Sequence, residues 1–179
     1  VALYDDLHAY LRATPWAIPC ATTASVAIVG WSRQLSALTG WPRRLAIPYG
    51  VALAGFLSVT TTPSSWTLVA AGASRRTASW SFQPVRPSDL LRISEQSLNV
   101  WLAVPLGAMA AVVALSHGSV VAPAVAVAAP PFAEAFQWLF PQLGRSAFLL
   151  QDVGDNWEGL VIGLGVASAV FAKLHLKRK

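Results

Sequence analysis

Five stretches of this chain, at about 13–31, 45–62, 98–115, 119–140 and 156–174, are apolar runs of nearly helical-span length. A bilayer takes about 20 apolar residues per helix, so the sequence predicts a chain built from membrane-crossing helices. Charged residues make up only 12% of the chain, roughly half the share in a soluble domain. So few polar groups cannot cover a folded surface unless lipid covers much of it. This excludes a disordered chain, a secreted disulfide scaffold and an ordinary cytosolic enzyme. The expected fold class is all-α, a polytopic membrane helix bundle of about five transmembrane helices. If the 13–31 span is peripheral, a four-helix core remains. Residues 1–179 read as a single membrane domain.

The basic residues outnumber the acidic ones 13 to 8, a net charge of +5. In an apolar chain this excess points to anionic headgroups and to orientation in the membrane rather than to nucleic acid. Eight Trp residues suit the membrane–water boundary, where the ring is buried and the N–H stays wet. The single cysteine, Cys20, can form neither an internal disulfide nor a thiolate cluster. His8, His117 and His175 are too far apart in sequence to suggest a metal site, and no cofactor motif is present.

The chain divides into residues 1–62, a connection at 63–97 and the C-terminal spans. The first residues do not read as a cleavable signal peptide. Instead Tyr4, Leu7, His8 and Leu11 fall on one helical face, as in a short interfacial helix. The 63–97 connection is too long for a turn and holds Trp66, Trp80 and Phe82, so it is expected along the interface. Ser88 before Asp89 suggests a helix start there, leading through Leu90, Leu91, Ile93 and Leu98 into the third span. Arg33, Arg43 and Arg44 between the first two spans, and Lys173, Lys177, Arg178 and Lys179 in the tail, fall on one side of a five-span bundle. The positive-inside rule makes that side cytoplasmic, with the C-terminus inside and the N-terminus outside. Arg75, Arg76, Arg86 and Arg92 in the long connection run against this assignment.

The informative polar residues lie in the C-terminal half. Glu134 stands in an apolar run with Gln137 on the same helical face. Pro130 and Pro131 before it are expected to break the fourth span, with a second half-helix at about 131–140. Glu134 is six residues from Phe140, about 9 Å of helix rise, which puts its carboxylate below the headgroups. Such a group costs at least about 2–3 kcal/mol there unless it is paired, protonated or wet. Arg145 follows in a short loop, then Asp152, Asp155 and Asn156. Asp152, Asn156, Gly159 and Gly163 form one helix face, polar at its outer end and lined by glycine below. The Gly159–Gly163 spacing lets another helix approach closely. Glu158 is offset from that face. In the third span Pro105 is expected to kink the helix, and Asn99 either joins the polar cluster or caps the helix. Arg145 either locks two helices together through Glu134 or Asp152, or receives a ligand.

These elements together resemble the VanZ-like family of bacterial membrane proteins, named for a teicoplanin-resistance protein. The matching residues are Asn99 with Pro105 and Gly107, Glu134 with Gln137, Arg145, Asp152 with Asn156 and Gly159, then Gly163. The resemblance covers about residues 80–172. The chain departs from the family pattern at Ala103, at Gln151–Asp152 and in the spacing from Arg145 to Asp152. The resemblance implies a bacterial cytoplasmic-membrane protein of four or five helices, linked to glycopeptide tolerance or envelope biogenesis.

Three functions compete. The first is a non-enzymatic protein whose outward pocket binds an envelope lipid or lipid-linked cell-wall precursor, with Arg145 engaging a phosphate or carboxylate. Glu134, Asp152, Asn99, Gln137 and Asn156 would orient Arg145 and bond the rest of the headgroup. The second is an intramembrane hydrolase or transferase on a lipid-linked substrate, with Glu134 as general acid or base and Arg145 stabilising an anion. The absence of a nucleophile elbow, metal motif or phosphatase signature favours the non-enzymatic reading. The third is an accessory subunit of a larger membrane complex, with a partner membrane protein on its small-residue faces. Membrane lipids are expected partners in every case.

Overall fold

A computed structural model describes residues 15–63, 77–92, 94–140 and 147–176. The expected interfacial helix at 1–12, Trp66, Arg75, Arg76 and the terminal Lys177–Lys179 cluster lie outside these residues. Six α-helices are described: α1 (Ala17–Gly30), α2 (Ser32–Thr39), α3 (Arg43–Thr61), α4 (Glu95–His117), α5 (Val121–Leu139) and α6 (Leu150–Leu176). Two three-residue strands, β1 (Thr77–Ser79) and β2 (Ala147–Leu149), pair in parallel with Thr77 opposite Ala147. The fold is a helix bundle carrying this one small strand pair.

Three helices, α3, α4 and α6, are long and apolar enough to cross a membrane. The first expected span is shorter than that. α1 has 14 residues, about 21 Å of rise, and ends at Trp31, beyond which α2 begins. The fourth, α5, has 19 residues, but its prolines, Glu134 and Gln137 lower its hydropathy.

The expected break at Pro130–Pro131 is not observed, because α5 runs through both prolines. Pro131 has no N–H to donate to the carbonyl of Val127, four residues earlier. The indole Nε1 of Trp157 on α6 donates to that oxygen instead, at 3.0 Å. An interhelical bond thus replaces one rung of the ladder. Pro105 likewise lies inside α4, and Pro48 inside α3.

α4 starts earlier than the sequence suggests. Ser94 Oγ accepts from the N–H of Ser97 at 3.2 Å, and Ser97 Oγ accepts from the N–H of Ser94 at 2.9 Å. This reciprocal capping box fixes the start at Glu95. The helix start expected after Ser88 is only a single 3-10 turn, Asp89–Leu91. At its far end α4 stops on Gly118, whose φ of 63° places it in the left-handed region that ends helices.

The most extensive helix–helix contact joins α4 and α6. Gly159 faces Val100 and Ala103, Gly163 faces Val104 and Ala108, and Gly107 faces Leu160. At each of these glycines a Cβ would collide with the partner's backbone. Close approach of this kind supplies the dispersion contacts that associate helices in lipid. α3 and α5 complete the bundle against α4, and Tyr49 on α3 donates its hydroxyl to the Ala122 carbonyl of α5 at 2.9 Å. Phe56, Leu106, Val113 and Ala126 are buried between them. The outer faces are apolar too, with Val26, Val127, Val161 and Val170 all more than half exposed.

Candidate functional site at the polar end of the bundle

Consecutive helices α3 to α6 alternate in direction, so one end of the bundle gathers the C-termini of α3 and α5 with the N-termini of α4 and α6. Among the described residues, most of the buried polar side chains collect there. Gln137 on α5 is buried and donates Nε2 to the carbonyl of Thr60 on α3 at 2.7 Å. Glu134, one turn earlier and also buried, accepts from the N–H of Leu149 in β2 at 3.1 Å. Asn99 on α4 donates Nδ2 to Asp152 Oδ1 on α6 at 3.1 Å. Asn156 donates Nδ2 to the carbonyl of Asp152 at 2.7 Å.

The five described residues of the predicted cluster, Asn99, Glu134, Gln137, Asp152 and Asn156, therefore occupy one end of the bundle. Arg145, the sixth, lies outside the described residues. The glycines assigned to helix packing, Gly107, Gly159 and Gly163, line the α4–α6 seam below them, while Pro105 is exposed on the outside of α4.

α6 begins at Leu150, about two turns earlier than the apolar run suggests, so Gln151, Asp152 and Asp155 are helical. This exposes a group that sequence reasoning missed. Gln151 Oε1 accepts from the N–H of Gln83 at 2.8 Å, and its Nε2 donates to the Gln83 carbonyl at 2.8 Å. The same amide nitrogen donates to Asp155 Oδ1 at 2.7 Å. Farther along α6, the Glu158 carboxylate accepts from the N–H of Val85 at 3.2 Å, so its offset direction faces the 82–87 segment. Gln151 and Glu158 strap this extended segment to α6, and the Phe82 ring lies over Gly154. The spacing of Gln151, Asp155 and Glu158 on one helical face was the available signal, on a different side from the face that Asp152, Asn156, Gly159 and Gly163 share.

Asp155 is fully buried and Asn156 nearly so. Asp155 Oδ2 and Asn156 Oδ1 have no hydrogen-bond partner. A buried acceptor without a donor is costly, at about 1–3 kcal/mol, and favours a species that brings N–H or O–H groups. Among the described residues no group of three or more His, Cys, Asp or Glu has a metal-binding arrangement.

Two apolar cavities flank α6. One, of about 620 Å³, lies between α6 and the 82–90 segment, with Phe82, Leu90, Trp157, Glu158 and Val161 among its walls. The other, of about 370 Å³, lies where α6 meets α4 and α5, with Gly107, Pro123 and Val127 in its walls. Trp157 and Val161 belong to both. No protein-family model, curated protein or solved structure matches this chain.

Proposed function

We propose that this chain is a bacterial cytoplasmic-membrane protein, VanZ-like in its pattern of polar residues, that binds an envelope lipid or lipid-linked precursor at the polar end of its bundle. Its effect is on glycopeptide susceptibility, without a reaction of its own. The apolar outer faces and the three helices long enough to span support lipid as the surrounding solvent. The observation that carries the binding reading is the pair of buried acceptors, Asp155 Oδ2 and Asn156 Oδ1. Hydroxyl or amine donors of a headgroup, together with Arg145 on an anionic group, would complete that end. The orientation that fits the basic residues keeps Arg33, Arg43, Arg44 and Lys173 cytoplasmic and turns the polar end outward.

The test is teicoplanin susceptibility in a sensitive bacterium expressing the wild type, Asp155→Asn or Arg145→Lys. Asparagine keeps an acceptor for Gln151 but changes what the site offers a ligand, and lysine lacks the planar fork of arginine. Both variants should reach the membrane at wild-type levels and lose most of the effect. Equal protection by both variants and the wild type sinks the reading.

A further inference from the structure

The geometry points to a second lipid contact on the flank of α6: a groove for one hydrocarbon chain of a phospholipid whose headgroup carries both a phosphate and a primary ammonium. The two cavities along α6 share Trp157 and Val161 as wall residues. They lie side by side along α6, one under the 82–90 segment and one at the junction with α4 and α5. The larger cavity is within the range of small-molecule sites, about 300–1,000 Å³.

Charge and depth specify the headgroup. Among the described residues, Glu158 is the one ionisable side chain in the walls of the larger cavity. Fifteen residues separate it from Lys173 on the same helix, about 22 Å of rise, against about 30 Å of hydrocarbon. With Lys173 reaching one boundary by extending its stem, Glu158 lies near the other, at the depth of a headgroup. A carboxylate on the cavity wall complements the ammonium of such a headgroup. A headgroup without an ammonium leaves the carboxylate with only the Val85 N–H. The groove rests on the membrane placement proposed above but not on the ligand of the buried polar end.

The full-length protein would be placed in phosphatidylcholine nanodiscs containing a trace of phospholipid with a photoactivatable diazirine in one chain. The headgroup of that probe would be phosphatidylethanolamine or phosphatidylglycerol. Cross-links mapped by mass spectrometry should fall on Leu90, Trp157 and Val161 at least threefold more often than on Val166 and Val170, which are exposed on the same helix. The ethanolamine probe should label more than the glycerol probe. Val161→Trp, at an exposed position that tolerates the change, should reduce groove labelling with both probes. Glu158→Gln, which keeps an oxygen for the Val85 N–H, should abolish the headgroup preference and leave chain labelling in place. Groove labelling no higher than at Val166 and Val170 overturns the groove. Equal labelling by both probes in the wild type overturns the ammonium assignment. Intact groove labelling in an Asp155→Asn protein that has lost teicoplanin protection shows the two sites to be separate, and loss of labelling in that variant overturns the separation.

Discussion

Gln137 is the residue whose role can be measured most directly. Its amide reaches the Thr60 carbonyl across the bundle from a buried position. Replacing it with leucine keeps the size and removes the donor, at a cost of about 1–3 kcal/mol. Thermal unfolding in mild detergent should show a lower midpoint for Gln137→Leu. Gln137→Glu should be worse, because it sets a carboxylate against a carbonyl oxygen. A glutamate variant as stable as the wild type would remove this bond from any account of the bundle. Gln137 and Glu134 stood out in the sequence because each interrupts an apolar run. Thr60, their neighbour in space, did not, since a threonine at the end of an apolar helix has many local uses and bonds its own helix's carbonyl at Phe56. Asp155 stands in the sequence only as one acid among several, off the helix face that Asp152 and Asn156 share.

At the scale of elements, the glycine seam and the proline pair make opposite points about reading a sequence. The Gly159–Gly163 spacing signalled a close approach but not its partner, which depends on how α4 and α6 pair across the bundle. Alanine at Gly159 or Gly163 puts a methyl into the backbone of α4 and should cost about 1–3 kcal/mol through overpacking. Gly165 has open space around it, so alanine there should stabilise the helix by up to about 1 kcal/mol. Melting temperatures of the three variants test the seam, and equal shifts at all three would remove it. The prolines predicted a break because local chemistry ends a helix where N–H groups are lost. Trp157, 26 positions after Pro131, supplies one donor from another helix, and nothing local reports that. Trp157→Phe should therefore destabilise the wild type more than it destabilises Pro131→Ala, in which alanine's own N–H can reach Val127. A double-mutant cycle should give a coupling of about 1 kcal/mol, and strict additivity would exclude the replacement.

Across the whole molecule, the alternation of four helices brings polar residues 99, 134, 137, 152 and 156 to a common end; the order of apolar runs makes this legible for 134, 137, 152 and 156, while Asn99 reads equally well as a helix cap. The strap of residues 77–92 over that end was not, because three-residue strands and side-chain clamps carry no periodic signal. The proposed orientation is open to a direct check in a Cys20→Ser background. Ser81→Cys at the polar end should react with an impermeant maleimide in intact cells, and Leu38→Cys at the basic end only after permeabilisation. The reverse pattern would invert the molecule.

The parallel pairing of β1 with β2 also sets a timetable. Thr77 and its partner Ala147 are 70 positions apart, and the Gln83–Gln151 and Val85–Glu158 bonds span 68 and 73. At about 5–20 residues per second, the ribosome delivers β1 roughly 4 to 14 s before the strand it joins. Through that interval α3, α4 and α5 can enter the membrane, while the 77–92 segment waits at the surface with its strand edge unpaired. The strap therefore forms only as the start of α6 emerges, and a chain released before residue 147 has α1 to α5 but neither the strand pair nor the side-chain clamps.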